Sequence, residues 1–155
     1  MHVRSSRKPM NPVAVAVLVA LASAPAAPAA PSDLDATFGS GGKVRSDFGP
    51  SANRVNAVAI QQDGKIVTAG NIAGLGGDDI LLTRFNPDGS PDASFGVAGR
   101  VITMIGAGSD EAHAIALQAD GKIVVAGDTY AGLATDGDVA ILRYNPDGSP
   151  DGSFG

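Results

Sequence analysis

Apolar and polar positions repeat along this chain in two near-copies set 57 residues apart. Gln61-Gln62-Asp63-Gly64-Lys65-Ile66-Val67-Thr68-Ala69-Gly70 returns as Gln118-Ala119-Asp120-Gly121-Lys122-Ile123-Val124-Val125-Ala126-Gly127. An Asp-Gly pair between two apolar runs is the strongest short-range hairpin signal. A two-residue type I′ turn needs φ > 0 at both central residues, which these two tolerate best. The pattern therefore predicts a repeated β-hairpin, with such a turn at Asp63-Gly64 and again at Asp120-Gly121. Each period offers four strand candidates. The first, Lys43 to Phe48, alternates, with Val44, Ser46 and Phe48 on one face and Lys43, Arg45 and Asp47 on the other. That suits a half-exposed edge strand, and Arg100 to Ile105 matches it. The second, Val55 to Gln61 and Ala112 to Gln118, sets large residues on one face (Val58, Ile60; Ile115, Leu117) and alanines on the other (Ala57, Ala59; Ala114, Ala116). Such a strand fits between two neighbouring sheets. The third follows the hairpin turn from Lys65 to Gly70, and the fourth covers Ile80 to Asn86 and Val139 to Asn145. Asn86-Pro87-Asp88-Gly89-Ser90-Pro91 and its copy Asn145 to Pro150 end the fourth strand, with proline presetting φ and glycine taking the left-handed position.

Three short motifs mark the period. Leu34-Asp35-Ala36-Thr37-Phe38-Gly39 has counterparts in Pro91 to Gly96 and Pro150 to Gly155, and the second spacing is two residues longer, 59 instead of 57. The extra residues fall between Gly127 and Asp138, which predicts a loop there. Four strands in about 57 residues, with no helical period, is the content of one β-propeller blade. An open β-sandwich and a β-solenoid are the alternatives; a solenoid coil is usually shorter and lacks tight hairpins. The fold expected is all-β, with propeller-like blades of four antiparallel strands. The motifs Leu-Asp-x-x-Phe-Gly-x-Gly-Gly-Lys-Val, Gln-x-Asp-Gly-Lys-Ile-Val-x-Ala-Gly and Arg-Phe/Tyr-Asn-Pro-Asp-Gly-Ser resemble the delta-60 repeat of secreted bacterial proteins, over about Leu34 to Gly155. The resemblance implies a propeller-like fold and no assigned chemistry. Pro91 and Pro150 stand where that family usually has Leu, and Ala98 replaces the glycine kept as Gly41.

The first thirty residues read differently. Arg4, Arg7 and Lys8 precede an apolar run from Val13 to Ala22, then small-x-small sites such as Ala22-Ser23-Ala24 and Ala27-Pro28-Ala29. A basic start, a short apolar core and such a site make a secretory signal peptide. A membrane anchor needs about twenty apolar residues. The expectation is a signal peptide over 1–30, a repeat region over 31–155 (repeat one 34–90, repeat two 91–149, a partial third 150–155), and export to the periplasm or beyond. Without that signal, eight basic residues face sixteen acids, a net charge of −8. This argues against nucleic acid and anionic membranes as partners, both of which need a basic face. Cysteine and tryptophan are absent, so neither disulfides nor a lipid-anchoring cysteine enters, and Val, Ile, Leu and Ala must build the core.

Candidate chemistry is thin. His113 is the one histidine beyond the signal; its counterpart is Asn56, and no Gly-x-Ser-x-Gly elbow accompanies it. The strongest metal candidates are Asn86, Asp88, Asp92, Asn145, Asp147 and Asp151, oxygen ligands of the kind Ca²⁺ takes. They lack the order and bidentate Glu of an EF-hand loop, and turn chemistry accounts for them better. A glycosidase carboxylate pair is the remaining enzyme candidate; Glu111 is the only glutamate, and its counterpart Arg54 breaks the repeat. The loop around Gly74, Gly76 and Gly77 lacks a phosphate-loop Gly-Lys-Ser/Thr. Lys65, Lys122, Arg84 and Arg143 recur in each copy and are expected to pair with a repeat Asp at the strand ends.

The reading is a non-enzymatic extracellular repeat scaffold or binding module facing a protein or carbohydrate surface, with no catalytic residue and no cofactor assigned. A Ca²⁺-supported carbohydrate or surface binder is the alternative, and a hydrolase comes third. Two copies and the opening of a third are too few for a ring of four to eight blades. The expectation is therefore an incomplete ring, a piece of a longer array, with a homo-oligomer completing the ring as the second arrangement.

Overall fold

The computed structural model describes residues 33–48, 52–131 and 137–155. The segment read as a signal peptide lies outside the described residues. Seven strands follow in order: β1 Asn53–Ile60, β2 Ile66–Ala73, β3 Asp78–Phe85, β4 Arg100–Thr103, β5 Asp110–Leu117, β6 Ile123–Tyr130 and β7 Gly137–Tyr144. No helix occurs among the described residues. The strands form two antiparallel sheets, one ordered β1-β2-β3-β4 and one ordered β5-β6-β7. The all-β architecture and the open, unclosed arrangement follow the pattern of the sequence.

Two expectations need correction. The first is the hairpin turn. Gly64 has φ +81°, but Asp63 is not in the left-handed region. Gly64 N donates to Gln61 O at 2.9 Å and Gln61 N to Lys65 O at 2.8 Å. That is a type I turn followed by a left-handed glycine, a three-residue loop rather than the two-residue type I′ form. Asp63 serves it through its side chain, accepting from Lys65 N at 3.1 Å. The Gln118-to-Lys122 turn repeats this geometry.

The second concerns the edge strand. Lys43 to Phe48 keeps its predicted alternation, with Val44, Ser46 and Phe48 half-buried and Lys43, Arg45 and Asp47 exposed, yet it joins no sheet. Its counterpart β4 does pair, but with β3 of the preceding repeat: Ile80 faces Thr103 and Leu82 faces Val101. Each sheet is thus built from strands two to four of one repeat, and the first sheet takes its outer strand from the next. A sheet unit runs 53–103, across the 90/91 repeat boundary. The physical cause is local. After β3, the Asn86-to-Ser90 turn and the bridge Phe85–Pro91 send the chain back along the same sheet.

Register fixes the faces. On the first sheet Ala57, Ala59, Val67, Ala69, Ile80, Leu82, Val101 and Thr103 share one side, here the front. β5 of the second sheet lies across β1, β2 and β3 on that side. Val67, Ala69, Ile80 and Leu82 meet Ala112, Ile123, Val125 and Tyr144 there, with Phe95 buried among them and Ile115 and Leu117 packed at the fringe. Each fully buried aliphatic side chain in such a core contributes about 1.5–3 kcal/mol. The small alanine face of β1 lets the larger Ile115 and Leu117 approach, which is why the second strand carries one small and one large side. Polar contacts fix the pairing: Tyr144 Oη donates to Thr103 Oγ1 at 2.8 Å or accepts from it, and Asn56 Nδ2 donates to Ala112 O at 2.8 Å. Gly148 is needed where the sheets meet, since a Cβ there would stand 2.8 Å from Val101 and 2.9 Å from Phe95.

Candidate functional site

Charged side chains gather where each fourth strand ends. Asp92 Oδ2 accepts from Arg84 Nε at 2.6 Å and lies 2.9 Å from Lys65 Nζ. Its other oxygen takes Ser94 N at 3.0 Å and Ser94 Oγ at 2.7 Å. Arg84 stacks on Phe95 at 4.6 Å from the ring centre and reaches Pro146 O of the second sheet. The same node recurs as Asp151, Arg143, Lys122 and Ser153, with Arg143 over Phe154 at 4.6 Å. Burial pushes the Asp92 carboxyl up, but Ser94, Lys65 and Arg84 outweigh it and hold the group well below the usual carboxylate range. The Ser153 and Lys122 bonds depress Asp151 in the same direction. The expected pairing of the recurring Lys and Arg with a repeat Asp is met here, and that Asp is one of the metal candidates.

The remaining metal candidates lie in the turns. Asp88 Oδ1 accepts from Ser90 N at 2.9 Å and Ser90 Oγ at 2.6 Å, and Asn86 Nδ2 donates to Ser90 Oγ at 3.0 Å. Asn145, Asp147 and Ser149 repeat the arrangement. The serine bonds lower the pKa of Asp88 and of Asp147. Among the described residues, no three His, Cys, Asp or Glu side chains converge as metal ligands.

His113 Nε2 stands 2.9 Å from Asp128 Oδ2, both about half exposed, and no hydroxyl of the described residues bonds to the ring. Glu111 stands opposite Asp128 in the β5–β6 register. Asp110 is fully buried, taking Ile105 N at 2.6 Å, Gly106 N at 3.3 Å and the Thr129 hydroxyl, so it anchors the β4–β5 connection. No repeat signal marks it in the sequence, because its counterpart at the 57-residue shift is Asn53.

The recessed surface that the two repeats build together lies between their hairpin turns. A groove of about 690 Å³ runs between Gln61-Gln62-Asp63 and Gln118-Ala119-Asp120, with Ile60 and Leu117 in its walls and Lys65, Arg84 and Pro146 at one side. Gln62, Asp63, Gln118 and Asp120 are exposed, while the Gln61 side-chain oxygen is buried without a hydrogen-bond partner. Because Lys65 and Arg84 are engaged by Asp92, uncommitted amides and two turn carboxylates face the groove.

The family described as "Domain of unknown function (DUF5122) beta-propeller" matches residues 61–95 and 118–154. Each of these two segments matches a repeat of this propeller family. Both matched segments start at the glutamine that opens the hairpin turn and run through the Arg-Asp-Ser node to the phenylalanine under the arginine. The matched residues thus cover the turn, the two strands that follow it and the node. The delta-60-like resemblance of the sequence is consistent with it. A comparison with curated proteins found no match.

Proposed function

We propose that this propeller-repeat chain is a non-enzymatic extracellular scaffold that binds through the groove between its Asp63-Gly64 and Asp120-Gly121 turns. The observation that carries this is the division of labour among polar groups. The recurring cations and Asp92 and Asp151 are consumed in holding strand ends, while Gln61, Gln62 and Gln118 are left at the groove with an apolar wall of Ile60 and Leu117. Amides beside an apolar wall suit a neutral, hydroxyl-rich ligand, which takes hydrogen bonds at its edges and packs its ring faces. No acid–base pair with a bonded nucleophile stands at this groove, and the reading assigns none. Export rests on the basic-apolar-Ala-x-Ala start of the chain.

The test is an NMR titration with neutral oligosaccharides. Saturable shifts confined to the side-chain amides of Gln61, Gln62 and Gln118, lost in Gln62→Ala/Gln118→Ala and unchanged by a chelator, are expected. Shifts elsewhere only, dependence on Ca²⁺, or breakdown of the saccharide would contradict the reading.

A further inference from the structure

The sheet faces at the two ends of the stack are the same two faces that meet in its middle. At the internal junction the front of the first sheet, through Ile80 and Leu82, is fully buried against the back of the second. Their counterparts on the second sheet's front, Val139 and Ile141, are 79% and 57% exposed. On the back of the first sheet, Val58 is 63% exposed where its counterpart Ile115 is packed. Among the described residues no strand pairs with the outer edge of β7.

One segment is already placed to continue the stack. Phe38 to Val44 sits on the back of the first sheet just as Phe95 to Val101 sits on the back of the second. Gly39 N donates to Asp88 O at 2.7 Å, as Gly96 N does to Asp147 O at 2.8 Å. A Cβ on Gly89 would meet Val44 and Phe38, as one on Gly148 would meet Val101 and Phe95. Asp35 then stands out as half of a node. Its Oδ1 accepts from Thr37 N at 2.9 Å and Thr37 Oγ1 at 2.6 Å, as Asp92 Oδ1 does from Ser94, but among the described residues no lysine or arginine reaches its second oxygen. Asp92 and Asp151 each hold a Lys–Arg pair there.

We propose that the chain assembles head to tail: the front of one copy's second sheet docks on the back of the next copy's first sheet. Asp35 of the incoming copy takes the Lys122–Arg143 pair, and Lys43 to Ser46 pairs with β7. In the register of β3 with β4, Val44 falls opposite Ile141 and Ser46 opposite Val139. Asp151 to Gly155 holds that place within the free chain, so the two segments exchange. Asp35-Ala36-Thr37-Phe38-Gly39 reproduces the chemistry of Asp151-Gly152-Ser153-Phe154-Gly155, so the exchange keeps the node and adds strand pairing and apolar burial. The charge balance favours the same polarity. Repeat one carries five basic and six acidic residues, repeat two three basic and eight acidic, −1 against −5. Lys43 and Arg45, exposed on the incoming segment, approach the more acidic repeat, with Arg45 diagonal to Asp138 in that register. A second copy is the occupant because each face is seen covered by its own partner face inside this chain.

A heterologous junction has a signature that sedimentation velocity reads directly. The exported protein should show mass rising with concentration up to about 1 mM. Ile141→Lys and Val58→Lys change exposed positions on opposite faces; each should leave the melting temperature near wild type and weaken association at least about a hundredfold. Mixed together they retain one intact junction, so the mixture should give a dimer and nothing larger. Asp35→Asn should weaken association with the monomer's melting unchanged. A wild-type chain that stays monomeric throughout, single variants that associate like wild type, or a mixture that remains monomeric would overturn the proposal.

Discussion

At the scale of single residues, the repeat is held by one device used twice. A carboxylate (Asp92, Asp151) receives an arginine, a lysine and the serine two positions on, while the arginine covers a phenylalanine. Charge-assisted bonds of this kind are short and directional, which suits a joint that must fix where a strand ends. The node is also acid-labile. The folded-state pKa of Asp92 is depressed, so its contribution is complete above the ordinary carboxylate value of about 4 and is lost as pH falls through the lower folded value. Asp92→Asn should therefore lower the melting temperature clearly at pH 7, and the gap from wild type should narrow as pH drops from about 5 to about 2. A gap that stays constant across that range would show that the charge is not what the node uses. The cations of the node were legible in the sequence, because Lys65, Arg84 and their copies recur at fixed spacing. Their acceptor was harder to single out. Asp88 and Asp92 both recur, and only the return of the chain along β3 brings Asp92 and not Asp88 to the arginine.

At the scale of elements, hydrophobic patterning located three strands of each repeat, because β1, β2 and β3 and their copies carry apolar runs between strong turn signals. The turn type was not legible. Asp-Gly fits a two-residue loop and a three-residue loop alike, and the backbone chose the latter with Asp63 bracing Lys65 N. Nor did local pattern reveal that Lys43 to Phe48 and Arg100 to Thr103, nearly alike in alternation, differ in whether they meet a partner edge. Pairing is a non-local event, and a strand pattern says only that one face is apolar. The element joining the sheets contains the one strained residue described. Ala98, with φ +54°, occupies the left-handed position that Gly41 fills in the first repeat. A β-carbon in that region costs about 1 kcal/mol, so Ala98→Gly should raise stability by about 0.5–1 kcal/mol in chemical denaturation. A loss of stability would mean that the turn is not left-handed there.

At the scale of the molecule, the unit of folding is offset from the unit of sequence. Because β4 belongs to the second repeat and pairs in the first sheet, the first repeat does not complete its sheet alone, and the core between the sheets is continuous with that pairing. Stacking of this kind gives nearest-neighbour stability, in which each junction adds burial and the end faces keep the shape of an interface. The absence of cysteine in the natural chain makes the pairing directly testable with introduced pairs. Leu81→Cys/Ile102→Cys joins cross-strand partners of β3 and β4, whereas Ala140→Cys/Ile102→Cys would join the same strand to its own repeat. Mild oxidation, read by mass spectrometry of the monomer, should close a disulfide in the first variant and leave the second reduced; closure in the second and not the first would contradict the offset sheet.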